Sequence, residues 1–242
     1  IDFHDGAPIR SIAPQKLART LQAHALYVES NQQSGKRAIL DSTNLAGKSF
    51  ASMKLWHIRM QCADLAGADF TGADLRRAIL IGATIQRGRL AAADLTRGRL
   101  NGIKMTDADC QGVCMAEADI EFAIMANSDF RKANFRDADM SGAILDAADL
   151  SGADLRRANL RGASFQGTRL HGADLRGARM GNSILKRASF NGADLRGAYL
   201  RVAKFPRTDL SGADLRDAGG LTTGQINHTI RDAHTRLPLD LI

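Results

Sequence analysis

The chain has 242 residues, of which 44% are hydrophobic, 24% charged and only 5% aromatic. So few large side chains cannot fill a broad core, so the interior is expected to be narrow and built from small residues. The formal charge of +7 admits nucleic acid, anionic lipid or an acidic protein as partner without requiring any of them, and no run of about 18 apolar residues is present to span a membrane.

Residues 1–37 read as an N-terminal segment. No basic, apolar, small-residue succession marks a signal peptide. The chain starts at Ile1 rather than Met, which reads as a fragment, a processed form or an expressed piece of something longer. Three cysteines without paired spacing (Cys62, Cys110 and Cys114) fit a reducing cytoplasm. Residues 14–30 predict an amphipathic helix, with Pro14 in the first turn and Leu17, Leu21, Ala25 and Val28 on one face.

Residues 38–217 are organised by a period of five. From Leu40 to Leu215 every fifth residue is Leu, Phe, Met, Ile or, at Cys110, Cys, giving 36 consecutive copies. Two residues before each lies a second series, mostly Ala, with exceptions such as Gly88, Gly98, Ser128, Thr168, Ser183, Ile103 and Val113. A period of five suits neither a helix nor a long strand. Locally, A-x-L alternates for three residues and the next two break the alternation, often with Gly, so each unit reads as a very short extended segment followed by a corner. Such segments are stable only if each stacks on its copy one coil away.

The motif GADLR supplies the coil length. It occurs five times, starting at Gly72, Gly152, Gly172, Gly192 and Gly212, at intervals of 80, 20, 20 and 20 residues. Four five-residue sides per coil would stack residue n on n+20. Arg136, Arg156, Arg176 and Arg196 then form one column, and Asp154, Asp174 and Asp194 another beside it. With ANLRG at 158–162 and ADLSG at 148–152, the tandem A[D/N]Lxx pattern resembles the pentapeptide-repeat proteins over about three quarters of the chain. The resemblance implies an all-β solenoid, a right-handed quadrilateral β-helix with the Leu and Ala positions inward. Thirty-six units make about nine coils, a rod roughly 40 Å long, with short α-helical caps at both ends.

Departures from the pattern concentrate at the ends. Thr43, Lys48, Met53 and Ile58 occupy the small-residue slots of the first coil, and an inward Lys48 would be costly, so this coil is expected to be distorted, with Met53 and Ile58 under the helix and Trp56 and His57 close by. Residues 218–242 read as a C-terminal cap. Gly219 and Gly220 break the repeat, and a helix over residues 223–233 would put Ile226 and Ile230 on the last coil, with Leu221 and Leu237 beside them.

No catalytic constellation stands out, so the expectation is a protein that is not an enzyme and uses no cofactor or metal. The six histidines (His4, His24, His57, His171, His228, His234) read as surface or capping residues. Cys110 points inward and Cys114 outward, which sets them on opposite sides of the wall and against a shared metal. The Arg136–Arg196 and Asp154–Asp194 columns read first as a self-neutralising wall and second as a charged stripe for a partner. A less usual surface has Ile124, Ile144 and Ile184 where Asp or Asn is expected, with Phe122 at the adjoining corner; Ile124 would lie directly over Ile144 in an apolar patch.

The leading functional reading is a non-catalytic protein-interaction module or scaffold, a rigid rod presenting patches to a protein partner, with a homodimer as one form. Two other functions compete with this reading. A DNA-mimicking regulator of DNA gyrase, as in the quinolone-resistance branch that this family resembles, needs a strongly negative surface and is disfavoured by the basic charge. Direct nucleic-acid binding through the Arg column is weakened by the interleaved Asp residues and the lack of exposed aromatic residues.

Overall fold

A computed structural model of the chain describes residues 8–241. The period of five becomes a four-sided β-helix. Each side contributes one outward residue that pairs, in parallel, with the residue twenty positions on, from Ile39 with Arg59 to Tyr199 with Gly219. The four sides are named here by their outward residues: side A runs through 54, 74 and so on to 214, side B through 59 to 219, side C through 44 to 204 and side D through 49 to 209.

All 36 residues of the every-fifth series are buried. Most of the small series are buried too, so two rows per side fill a narrow axis. Stacking at n+20 reaches the side chains: the Phe50 and Phe70 rings lie 4.9 Å apart and nearly parallel. Where a hydroxyl enters the axis it finds a carbonyl, as Thr168 Oγ1 does at Leu145 (2.7 Å) and Thr208 Oγ1 at Leu185 (2.7 Å).

The corner repeats one backbone solution. Ala73 N–H donates to Phe70 C=O (2.9 Å) to close the turn, and Gly72 N–H donates to Ala91 C=O of the next coil (2.9 Å). The second corner residue is left-handed at every unit, whether it is Gly72 (φ 63°), Arg77 (φ 56°) or Val202 (φ 61°). Glycine suits that region, but the two coils' hydrogen bonds impose it on other residues as well.

Helix α1 spans Pro14–Glu29, with Pro14 opening it and Leu17 and Val28 buried; Leu21 is half-buried against the same core. The structure corrects three expectations at the ends. Lys48 is exposed and the backbone around it keeps the regular pattern (Lys48 N–H to Leu45 C=O, 3.1 Å; Asp69 N–H to Lys48 C=O, 3.0 Å). The first coil is therefore not distorted, because an end coil lets a long polar side chain leave toward water. His24 is wholly buried rather than at the surface. The helix expected over 223–233 is one turn, α2 (Thr223–Ile226), closed by Thr222 and Gln225 exchanging backbone and side-chain bonds. Ile226 is buried, but Ile230 is 56% exposed and extends the ladder by pairing with Asp209, as Arg236 does with Asp214. Leu221 and Leu237 pack on the core as expected.

Candidate interaction surface

The outward Asp of each unit has a local task before any electrostatic one. Of the five N–H groups in unit 72–76, those of Gly72, Ala73, Asp74 and Leu75 have main-chain acceptors. The fifth, on Arg76, donates to Asp74 Oδ1 (3.2 Å). The same bond recurs from Ala66 to Asp64, Ser151 to Asp149 and Arg196 to Asp194, and Asn134 serves Arg136 in the same way (3.0 Å). Asp or Asn is thus the side chain short enough to serve the one N–H that the coil leaves over.

On side A the arginines then join the aspartates into a ladder. Arg156 binds Asp154 (2.5 Å) and reaches Asp174 (3.6 Å); Arg176 binds Asp174 (2.6 Å) and reaches Asp194 (3.6 Å); Arg196 binds Asp194 (2.6 Å). The bond from Arg196 holds the Asp194 carboxyl below the usual carboxylate range, and Arg156 does the same for Asp154. Arg136 departs from the column: residue 134 is Asn, and Arg136 turns to Asp137 instead (3.4 Å). The column that the sequence suggested as a charged stripe is thus largely occupied with itself.

Side C differs. Ile124 bonds through its backbone to Ile144 on the next coil, as expected. Ile144 is 39% exposed and Phe122 is 41% exposed. The Phe122 ring lies over Gly142, one coil on, so closely that a Cβ there would come within 2.7 Å of Cδ1. Phe122, Ile124 and Ile144 therefore form one apolar surface. Ile184 is not part of it, because Ser164 intervenes between Ile144 and Ile184. The isoleucines also forfeit the Asp-type bond, leaving the corner N–H groups of Ala126, Asp146 and Lys186 without that acceptor.

A charge pattern missed in the sequence surrounds this surface. On sides B and C and the adjoining corners, residues 104–146 carry five acids (Asp107, Asp119, Glu121, Asp139, Asp146) and one base, Lys104. Residues 159–207 of the same surface carry seven bases (Arg161, Arg179, Lys186, Arg187, Arg201, Lys204, Arg207) and no acid. None of these thirteen is in an ion pair among the described residues, in contrast to the paired arginines of side A. The signal was available once n and n+20 were stacked, but only the side A columns carry an identical motif that draws attention.

The cysteines behave as their slots imply. Cys110 is fully buried and burial pushes its thiol up, whereas Cys114 is half-buried on side A, with its Sγ 3.3 Å from Thr96 Oγ1. Among the described residues no group of three or more His, Cys, Asp or Glu side chains is placed to hold a metal ion, and no helix is long and apolar enough to cross a membrane. His4 lies outside the described residues.

The family model for pentapeptide repeats matches residues 58–97, 89–121, 114–152, 143–182 and 183–218. The chain belongs to the pentapeptide-repeat family, whose members fold as right-handed quadrilateral β-helices, and it shares that fold. A search of the curated proteins finds no match. Among solved structures, the chain is similar to HetL, a pentapeptide repeat protein involved in heterocyst differentiation regulation in the cyanobacterium Nostoc, at 29% identity over 78% of this chain and 87% of that one, with a TM-score of 0.42. It is also similar to QnrB1, a plasmid-mediated fluoroquinolone resistance protein, at 18% identity over 83% of this chain and 93% of that one, with a TM-score of 0.41.

Proposed function

We propose that the chain is a non-catalytic interaction rod whose working surface is side C around Phe122, Ile124 and Ile144. In this reading residues 38–217 are a rod of about nine coils, and residues 1–37 and 218–242 flank it as caps. The observation that carries it is the joined apolar surface of Ile144, at a position where the repeat elsewhere places Asp or Asn, and Phe122 at the adjoining corner, each about two-fifths exposed. Apolar side chains there lose the corner hydrogen bond and meet water, and a protein partner that covers them removes the second of these costs. DNA mimicry is the poorer reading, since it needs unpaired rows of acids and the acids of side A are tied to their own arginines.

The test is the double variant Ile124→Asp/Ile144→Asp. It restores the usual outward residue of the repeat, so the melting temperature should hold or rise. The expected outcome is loss of a captured partner or of self-association, read by pull-down and by solution mass. An unchanged result in both measurements contradicts the reading.

A further inference from the structure

Accepting side C as a contact surface, which this inference rests on, leaves its occupant to be identified. We propose that the occupant is a second copy of this chain, packed side C against side C with the two rods antiparallel.

The outward column of side C reads Lys104, Ile124, Ile144, Ser164, Ile184, Lys204 along the rod. The order is nearly the same in reverse. A twofold axis across the rod, between the rungs of Ile144 and Ser164, brings Ile124 opposite Ile184 of the second copy and Ile144 opposite its Ser164. Such a self-complementary patch is what an isologous interface requires. It also gives Ile184 a partner, although within one chain that residue is separated from the other isoleucines.

The charge pattern selects the direction. The axis lays the acid-rich stretch of one copy, 104–146, on the base-rich stretch of the other, 159–207. Asp107 comes opposite Arg207, and Glu121 falls between Arg161 and Arg201 of the second copy. A parallel pair would set five acids against five acids and seven bases against seven bases, an arrangement that like-charge juxtaposition penalises. Among the described residues none of these acids and bases is in an ion pair, while most charges of side A are bound to one another. The one like-charge match, Lys104 with Lys204, falls at the two ends of the patch, where solvent screening is greatest. The patch is about 24 Å long from first to last rung and one side wide, which puts it at the small end of specific interfaces and makes the dimer weak and reversible.

Sedimentation of the full chain over a range of concentrations tests the proposal, with melting curves to show that each variant is folded. The wild type should pass from monomer to dimer, and the transition should weaken as salt is raised. Arg201→Glu/Arg207→Glu and Asp107→Lys/Glu121→Lys should each weaken dimerisation by about tenfold or more. An equimolar mixture of the two should recover dimers, because each variant now offers what the other lacks. A monomer at every concentration, a dimer indifferent to both pairs of substitutions, or a mixture that stays monomeric overturns the proposal. If the chain is monomeric yet Ile124→Asp/Ile144→Asp still removes a captured protein, self-association fails and the interaction reading stands. If that variant changes nothing either, both fail.

Discussion

At the scale of single residues, the recurrent Asp is explained by geometry before charge. Asp194 accepts the corner N–H of Arg196 (3.1 Å) and also binds the Arg196 guanidinium (2.6 Å). An Asn keeps the first bond and loses the second. Exposed ion pairs are weak, while an orphaned backbone donor is not free of cost. Asp194→Ala should therefore destabilise by about 0.5–1.5 kcal/mol, and Asp194→Asn by about half of that or less. Urea denaturation of both variants decides it, and equal losses would mean that the charge, not the turn, is what matters. This role was present in the sequence as Asp followed two residues later by an N–H, but a repeat shows only that Asp recurs. Which N–H goes unserved emerges only when the other four are assigned.

Elements at the ends of the rod were the least legible. The helix α1 face was readable from Leu17, Leu21 and Val28, yet His24 on the same face was not, because a histidine in an amphipathic pattern carries no sign of burial. Its Nδ1 accepts the Ala38 N–H (3.1 Å), and its ring stacks on Tyr27 (5.8 Å between centroids). Burial, chiefly, with Arg37 and His57 nearby, lowers its proton affinity, while the Leu55 carbonyl pulls the other way. A proton on Nδ1 would face the Ala38 N–H. His24 is therefore neutral when α1 is docked and titrates normally when α1 is released. The docked state is favoured in full above the ordinary histidine value of about 6.5, and loses ground as pH falls below it toward the lowered value. Amide exchange in α1 should accelerate on going from about pH 8 to pH 5, after correction for the intrinsic rate, and His24→Gln should abolish that dependence. A flat profile in the wild type would contradict the latch. The C-terminal helix was overestimated for a related reason: Ile226 and Ile230 share a helical spacing, but the free edge of the last coil offers Ile230 a backbone partner at Asp209, which a sequence pattern does not reveal.

For the whole molecule, four sides per coil could be read from the chain because GADLR returns at multiples of twenty, and the 36 inward residues are all buried as that coil requires. The candidate surface was legible in part. Ile124 and Ile144 were visible as breaks in a polar column, with Phe122 at the adjoining corner, whereas Ile184 falls outside the apolar surface of one chain and the segregated charges of sides B and C are visible only once the coils are stacked. Both become intelligible as properties of stacked coils rather than of neighbours in sequence. Sides A and C then differ: most charges of A are bound to one another, while C and its corners carry exposed apolar side chains and charges that are in no ion pair among the described residues. Photo-crosslinking from a benzophenone side chain tests this most directly, placed at position 124 in one protein and at 174, on side A, in another. The account predicts a covalent protein adduct from 124, with a second copy of the chain or another protein, and none from 174. No adduct from 124, or equal yields from both positions, would contradict it.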